Sequence, residues 1–174
     1  DSKNSFITKI VLNQSSSLIG KAIKDSNLKE LGQAKILMIQ RGEHAEHGPF
    51  FGFILEEGDI LVVSVSREQL TNILSQKIGS IETFEKDDKS DSQKNQIITE
   101  VMVTPSSSLV GNTIENVSFR YRYNCFVIGL QRKSKIITSH MSELALEPGD
   151  TLLIQGEKDS IKALRTQSDL LPME

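Results

Sequence analysis

The sequence predicts an α+β fold in which one small unit, of order β-α-β-β-β-α, is written twice. Three observations lead there. A serine-rich phrase recurs, "SSSLIGKAI" at 15–23 and "SSSLVGNTI" at 106–114. Residues 8–73 align without a gap onto 99–164, and one register holds through several separate islands of identity. Within each copy, β-branched runs and helix-spaced runs follow one another in the same order.

The elements follow from local chemistry. "FITKIVL" (6–12) and "IITEVMV" (97–103) are short and β-branched with polar flanks, as a strand requires. "NQSSS" and "TPSSS" then supply turn formers and hydroxyls able to cap a helix. Apolar residues at 18, 19, 22 and 23, and at 109, 110, 114 and 117, suit a short helix that buries one face. Gly20 and Gly111 are poor helix residues, and their retention suggests a close contact at the helix start.

"AKILMIQR" (34–41) and "CFVIGLQR" (125–132) are more continuously apolar and predict a central strand, with Arg41 and Arg132 at its polar exit. "SKIITS" (134–139) predicts a further strand, whereas the matching "EHAEHG" is poor strand material and reads as a loop beside Gly42, Gly48 and Pro49. "LEEGDILVVSV" and "LEPGDTLLIQG" give a turn and a strand. Pro148 fits the second turn position, Gly58 and Gly149 permit positive φ, and Asp59 and Asp150 can accept backbone hydrogen bonds. "REQLTNILSQKI" and "EKDSIKALRTQSDL" read as closing amphipathic helices.

Between the copies, 81–96 is acidic and polar, with no apolar residue after Phe84, and reads as a solvated linker. The expected organisation is a first domain at 1–80, a linker at 81–96 and a second domain at 97–174. A unit this small buries a modest fraction of its surface, so pairing with the sister copy or a second chain is an economical reason for duplication.

Composition narrows the function. A net charge of −3 without a basic tract argues against nucleic acid as a partner. No run of about 20 apolar residues is present to span a bilayer. The chain starts at Asp1 and is expected to be an excerpt of a longer polypeptide. Cys125, the single cysteine, sits in an apolar run and is expected to be a buried small side chain.

Candidate sites are few. His44 and His47 would share a metal ion if their segment were helical, but the second copy has Lys135 and Thr138 there, and structural or exposed histidines are preferred. Arg120 and Arg122, interleaved with Tyr121 and Tyr123, are candidates for an anionic effector, against the plainer reading of solvent-facing arginines. The serine triplets invite an anion at a helix N-terminus, although capping explains them with fewer assumptions. Asp59 and Asp150 read as turn residues. No catalytic residue is assigned and no cofactor is expected.

The order "SSLVGNTIENVSFRYRYNCFVIGLQRKSK" then "LEPGDTLLIQG", echoed by "SSLIGKAI", "ILMIQRG" and "LEEGDILVVSV", resembles two tandem TrkA-C domains, also called RCK C-terminal domains. The resemblance implies a cytosolic regulatory, non-enzymatic module that pairs into a homo-dimer or higher homo-oligomer. It would act on the membrane-embedded part of the same or a partner transporter, as in potassium-uptake systems or divalent-anion/sodium symporter-like permeases. It also allows a small-molecule effector. The alternatives are a small-molecule sensor of a cytosolic protein and a metal enzyme built on His44 and His47.

Overall fold

A computed structural model describes residues 5–24, 28–84, 96–133 and 143–173. The chain forms two compact units, Asp1–Glu82 and Thr83–Glu174.

The first unit contains β1 (Phe6–Val11), a 3-10 turn (Lys29–Leu31), β2 (Lys35–Arg41), β3 (His44–His47), β4 (Ile60–Val65), α1 (Arg67–Leu74) and β5 (Ser80–Glu82). Its strands pair antiparallel in the order β3-β2-β4-β1-β5. Alternation along β1 buries Phe6, Thr8 and Ile10, the period of two that a pleated strand imposes. Leu61, Val62 and Val63 of β4 are all fully buried, which suits a strand in the middle of the sheet.

The second unit repeats the plan with β6 (Gln96–Val103), α2 (Phe119–Tyr123), β7 (Cys125–Gln131), β8 (Thr151–Glu157), α3 (Lys158–Ala163), a 3-10 turn (Leu164–Thr166) and β9 (Leu170–Met173). The antiparallel order among the described strands is β7-β8-β6-β9. The copies share even an irregularity. The β2–β4 register shifts between Ile36 and Met38, and the β7–β8 register shifts between Val127 and Gly129. The extra residues, Leu37 and Ile128, occupy matching positions, as expected of a bulge that re-aims a strand.

The α+β class and the helix-bearing plan match the expectation, while four details differ. First, 15–20 and 106–112 form hydrogen-bonded turns rather than the start of a helix. Gly20 and Gly111 lie at φ +86° and +87°, and their N–H groups donate to Leu55 and Leu146 O at 2.8 Å. Loop carbonyls ahead of β4 and β8 therefore capture amides that a helix would need. Leu18, Ile23, Leu109 and Ile114 still reach the core, and the helical turn comes later, at Lys29–Leu31 and Phe119–Tyr123.

Second, "HAEH" is a strand. A hairpin turn with Gly42 at φ +62° sets Arg41 opposite His44 and Met38 opposite His47. Pairing to β2 overrides a weak local propensity here. Third, the closing helices are shorter than expected. Fourth, each is followed by an additional strand, β5 or β9, that pairs with the first strand of its own unit. The strand expected at 134–139, and residues 85–95 of the expected linker, lie outside the described residues.

Candidate functional site

The same polar device stands at the base of both copies. Glu56, Glu57, Gly58 and Asp59 form a turn closed by Asp59 N–H donating to Glu56 O at 3.1 Å, with Gly58 at φ +90°. The second copy repeats it from Asp150 to Glu147 at 3.1 Å, with Gly149 at φ +87°. Pro148 and the glycines thus take the roles their chemistry suggests. Each turn is tied to the end of the first strand, Leu12 N–H to Asp59 O at 2.9 Å and Val103 N–H to Asp150 O at 2.8 Å.

The aspartates are buried, so their charge needs partners. Arg41, the last residue of β2, donates from Nε to Asp59 Oδ1 at 2.8 Å and from Nη2 to Oδ2 at 2.8 Å. Nη2 also donates to Ile54 O at 2.9 Å, and Glu56 N–H donates to Asp59 Oδ2 at 2.9 Å. Arg132 treats Asp150 alike, at 2.8 and 2.7 Å, and reaches Ala145 O at 2.9 Å. Glu147 N–H donates to Asp150 Oδ2 at 2.8 Å. The two-pronged fit is one that a guanidinium makes and an ammonium does not. Hydrogen bonding to Asp59 and Asp150 holds both guanidinium pKa values above the ordinary arginine value.

The two clamps differ in enclosure. The Arg41 side chain is 40% exposed and that of Arg132 only 7%. Sequence reading places Asp59 and Asp150 in turns and Arg41 and Arg132 at strand exits, and misses that they meet. The available signal was the co-duplication of Gln-Arg and Gly-Asp at one separation in both copies.

A second polar cluster occurs in the second unit. Asp169 receives the Ser108 amide on Oδ1 at 2.9 Å, and the Ser108 hydroxyl on Oδ2 at 2.9 Å. The Tyr123 hydroxyl donates to the same Oδ2 at 3.4 Å. These donors, the Ser108 amide foremost, with Arg122 nearby, outweigh desolvation and hold the Asp169 carboxyl below its ordinary pKa. Burial pushes the Tyr123 phenol up. In the first copy Ile78 stands in place of Asp169, and Ser17 N–H donates to Lys77 O at 2.8 Å.

Ser16 and Ser107 accept the amides of Leu18 and Leu109 at 3.1 and 3.0 Å, so these hydroxyls close turns rather than cap α-helices. Arg120 and Arg122 share α2 but lead to different neighbours. The Arg120 guanidinium carbon lies 4.6 Å from the Phe126 ring centre, and that of Arg122 6.0 Å from the Tyr123 ring centre. His44 and His47 are three residues apart on β3, which places them on opposite faces of the strand. The shared-ion geometry of a helix is therefore not formed, and the described residues contain no group of three or more His, Cys, Asp or Glu that could hold a metal.

Cys125 is fully buried, and desolvation pushes its thiol up to about 12. Among the described residues no helix is long and apolar enough to cross a membrane.

Comparison with known proteins places this geometry. The TrkA-C domain model matches residues 7–76 and again 98–168. The chain belongs to the TrkA-C family, whose domains are regulatory, non-catalytic modules linked to transport. It is 29% identical over 178 residues to the uncharacterized transporter sll0640 of Synechocystis, covering 97% of this chain and 29% of that protein. It is 22% identical over 169 residues to the uncharacterized transporter YfbS of Escherichia coli, covering 91% and 27%. A Chlamydomonas reinhardtii protein named for the sulfur deprivation response is 24% identical over 159 residues, covering 87% and 27%. The chain thus spans less than a third of these relatives. The crystal structure of the GsuK RCK domain is similar at a TM-score of 0.36 and 11% identity, over 93% of this chain and 63% of that one. The family assignment rests on the sequence match.

Proposed function

We propose that this chain is the regulatory and pairing module of a membrane transporter, held at the cytoplasmic face of the cell membrane as part of a longer protein. The observation that supports this most is the tandem TrkA-C match across 7–76 and 98–168, in a chain that makes up less than a third of relatives named as transporters. The module forms a homo-dimer or higher homo-oligomer, and its packing biases the membrane-embedded part between states. Of the transporter classes, a sodium-coupled anion permease fits the sulfur-related name of the algal relative better than a cation system.

The parent protein tests the reading. Removing this segment should leave the membrane part inserted but change its uptake rate or response to conditions. An unchanged uptake profile, or a parent lacking membrane-spanning segments, overturns it.

A second reading, a small-molecule sensor, is favoured by one observation. Ser108, Tyr123 and Arg122 already gather around an anion, the carboxylate of Asp169. Thermal shift against nucleotides and divalent ions tests it. A stabilisation abolished by Arg122→Ala supports an effector there, and no stabilisation by any of them removes it.

A further inference from the structure

The first unit exposes an apolar patch beside its clamp. Phe51 is 73% exposed and Ile54 is 53% exposed, the latter paired with the exposed Ala22 in an isolated antiparallel bridge. The turn that carries Phe51 is pinned. Phe53 N–H donates to Phe50 O at 2.8 Å, and Gly52 N–H donates to Ile23 O at 3.2 Å. Phe50 is buried and meets the half-buried Phe53 ring edge-on, with 6.5 Å between centres.

The ground around the patch is acidic. The Arg41 guanidinium carbon lies 4.6 Å from the Phe53 ring centre, and Nη2 donates to Ile54 O at 2.9 Å. Three carboxylates, Asp59, Glu56 and Glu46, act on this one cation. Glu57 is exposed next to Glu56. Lys21 is already paired with Glu30 at 2.7 Å, which leaves Lys24, two residues beyond Ala22, to set against them. Negative charge is therefore in excess beside an open aromatic ring, and ring faces attract cations, as Phe53 already does with Arg41.

The duplication acts as an internal control. In the ungapped register Glu46, Phe51, Phe53, Ile54 and Glu57 correspond to Ile137, Ser142, Leu144, Ala145 and Pro148. Both copies nevertheless close the same Arg–Asp clamp and share the same strand pairing. The framework does not need the aromatic and acidic residues, so a partner explains them better.

We propose that this patch docks a basic, apolar-faced segment of the parent protein, the cytoplasmic flank of a membrane-spanning helix. Such flanks concentrate lysine and arginine beside apolar residues. Their cations meet the Phe51 ring and the carboxylates of Glu46, Glu56 and Glu57, while their apolar side chains cover Ile54 and Ala22. Charge complementarity of this kind selects the partner. The proposal rests on the transporter reading and names the surface through which it would act.

A fluorescent peptide of leucine and lysine, patterned as an amphipathic helix, would be titrated with chain 1–174 and read by anisotropy. It should bind saturably, more weakly as salt is raised, and a glutamate-for-lysine analogue should not bind. Phe51→Ser combined with Ile54→Ala installs the second copy's residues, so the fold should be retained and the Kd should rise about tenfold or more. Glu46→Gln combined with Glu57→Gln should act in the same direction. No saturable binding, equal binding of the glutamate peptide, or binding undiminished in both double variants overturns the proposal. A dimer in sedimentation that Phe51→Ser disperses would assign the patch to a second copy of this chain, and overturns it too. In the parent, uptake altered by deletion of the segment but not by Phe51→Ser with Ile54→Ala would remove this surface and keep the transporter reading. Uptake indifferent to the deletion would remove that reading itself.

Discussion

Arg132 grips Asp150 through two side-by-side hydrogen bonds of 2.8 and 2.7 Å, with both side chains almost wholly withdrawn from water. Removing one partner leaves the other charge buried alone, which typically costs about 3–5 kcal/mol. Asp150→Ala should therefore lower the stability of the second unit by about that amount. Asp59→Ala should cost less, because Arg41 is 40% exposed and can turn to water. Urea unfolding with probes in each unit reads the two losses. Equal losses would show that enclosure does not set the clamp's worth.

Gly20 and Gly111 test the turns that replaced the expected helix. A Cβ at either position meets nothing within 4 Å, while φ stands near +87°. The expected cost of Gly111→Ala is thus purely conformational, about 1–2 kcal/mol. A chemical-denaturation midpoint unchanged by this substitution would contradict the assigned backbone.

Gly156 faces Cys125 across β7 and β8, and a Cβ there would lie 2.8 Å from Sγ. Gly156→Ala should destabilise the second unit by about 1–3 kcal/mol through overpacking. Cys125→Ala should recover most of the loss in the double variant. The first copy has Ala34 and Val65 at these two places, a different division of the same space. Failure of rescue in thermal melts would place the strain elsewhere.

Cys125 should also be inert while folded. Its burial pushes the thiol up to about 12, leaving almost no thiolate at neutral pH. Labelling with a disulfide reagent should follow the unfolding rate in urea. Rapid labelling of the native chain at pH 7 would oppose this.

Asp169 gives a pH dependence with a definite sign. Its folded pKa is depressed by the Ser108 amide and hydroxyl, Tyr123 and Arg122. The stabilisation is therefore present above the unfolded value of about 4 and lost as pH falls through the folded one. Below about pH 4, exchange of the Leu170, Leu171 and Met173 amides should quicken relative to the rest of the sheet. Asp169→Asn should quicken it at neutral pH and remove this acid sensitivity. Exchange indifferent to both would separate the carboxylate from the β9 strand.

The duplication made much of the fold legible, since two registers read together constrain each other. Strands β1, β2, β4 and their partners in the second copy followed from β-branched runs, and the Gly-Asp turns followed from turn chemistry. The first helix misled because Leu18, Ile19, Ala22 and Ile23 keep helical spacing, yet Leu55 O binds the Gly20 amide. β5 and β9 were too short to show a period, and Pro172 in β9 obscures one of them. His44–His47 became a strand through its partner, not its composition. The Arg–Asp clamps needed a contact across eighteen residues, which no local pattern reports. The Asp169 cluster has no echo in the first copy, so comparing the copies could not reveal it.

The bond from Arg41 to Asp59, with its branch to Ile54 O, cinches the neck of the excursion that runs from β2 to β4. In the first copy that excursion is itself anchored, since β3 pairs with β2, Phe50 is buried and Ile23 N–H donates to Phe53 O at 2.9 Å. The two sequences differ there, with "EHAEHGPFFG" at 43–52 and "SKIITSHMSE" at 134–143. The exposed Gly42–Glu43 turn of the first copy, rather than the excursion as a whole, is therefore the natural grafting point, where a foreign peptide should be accepted without unfolding its host.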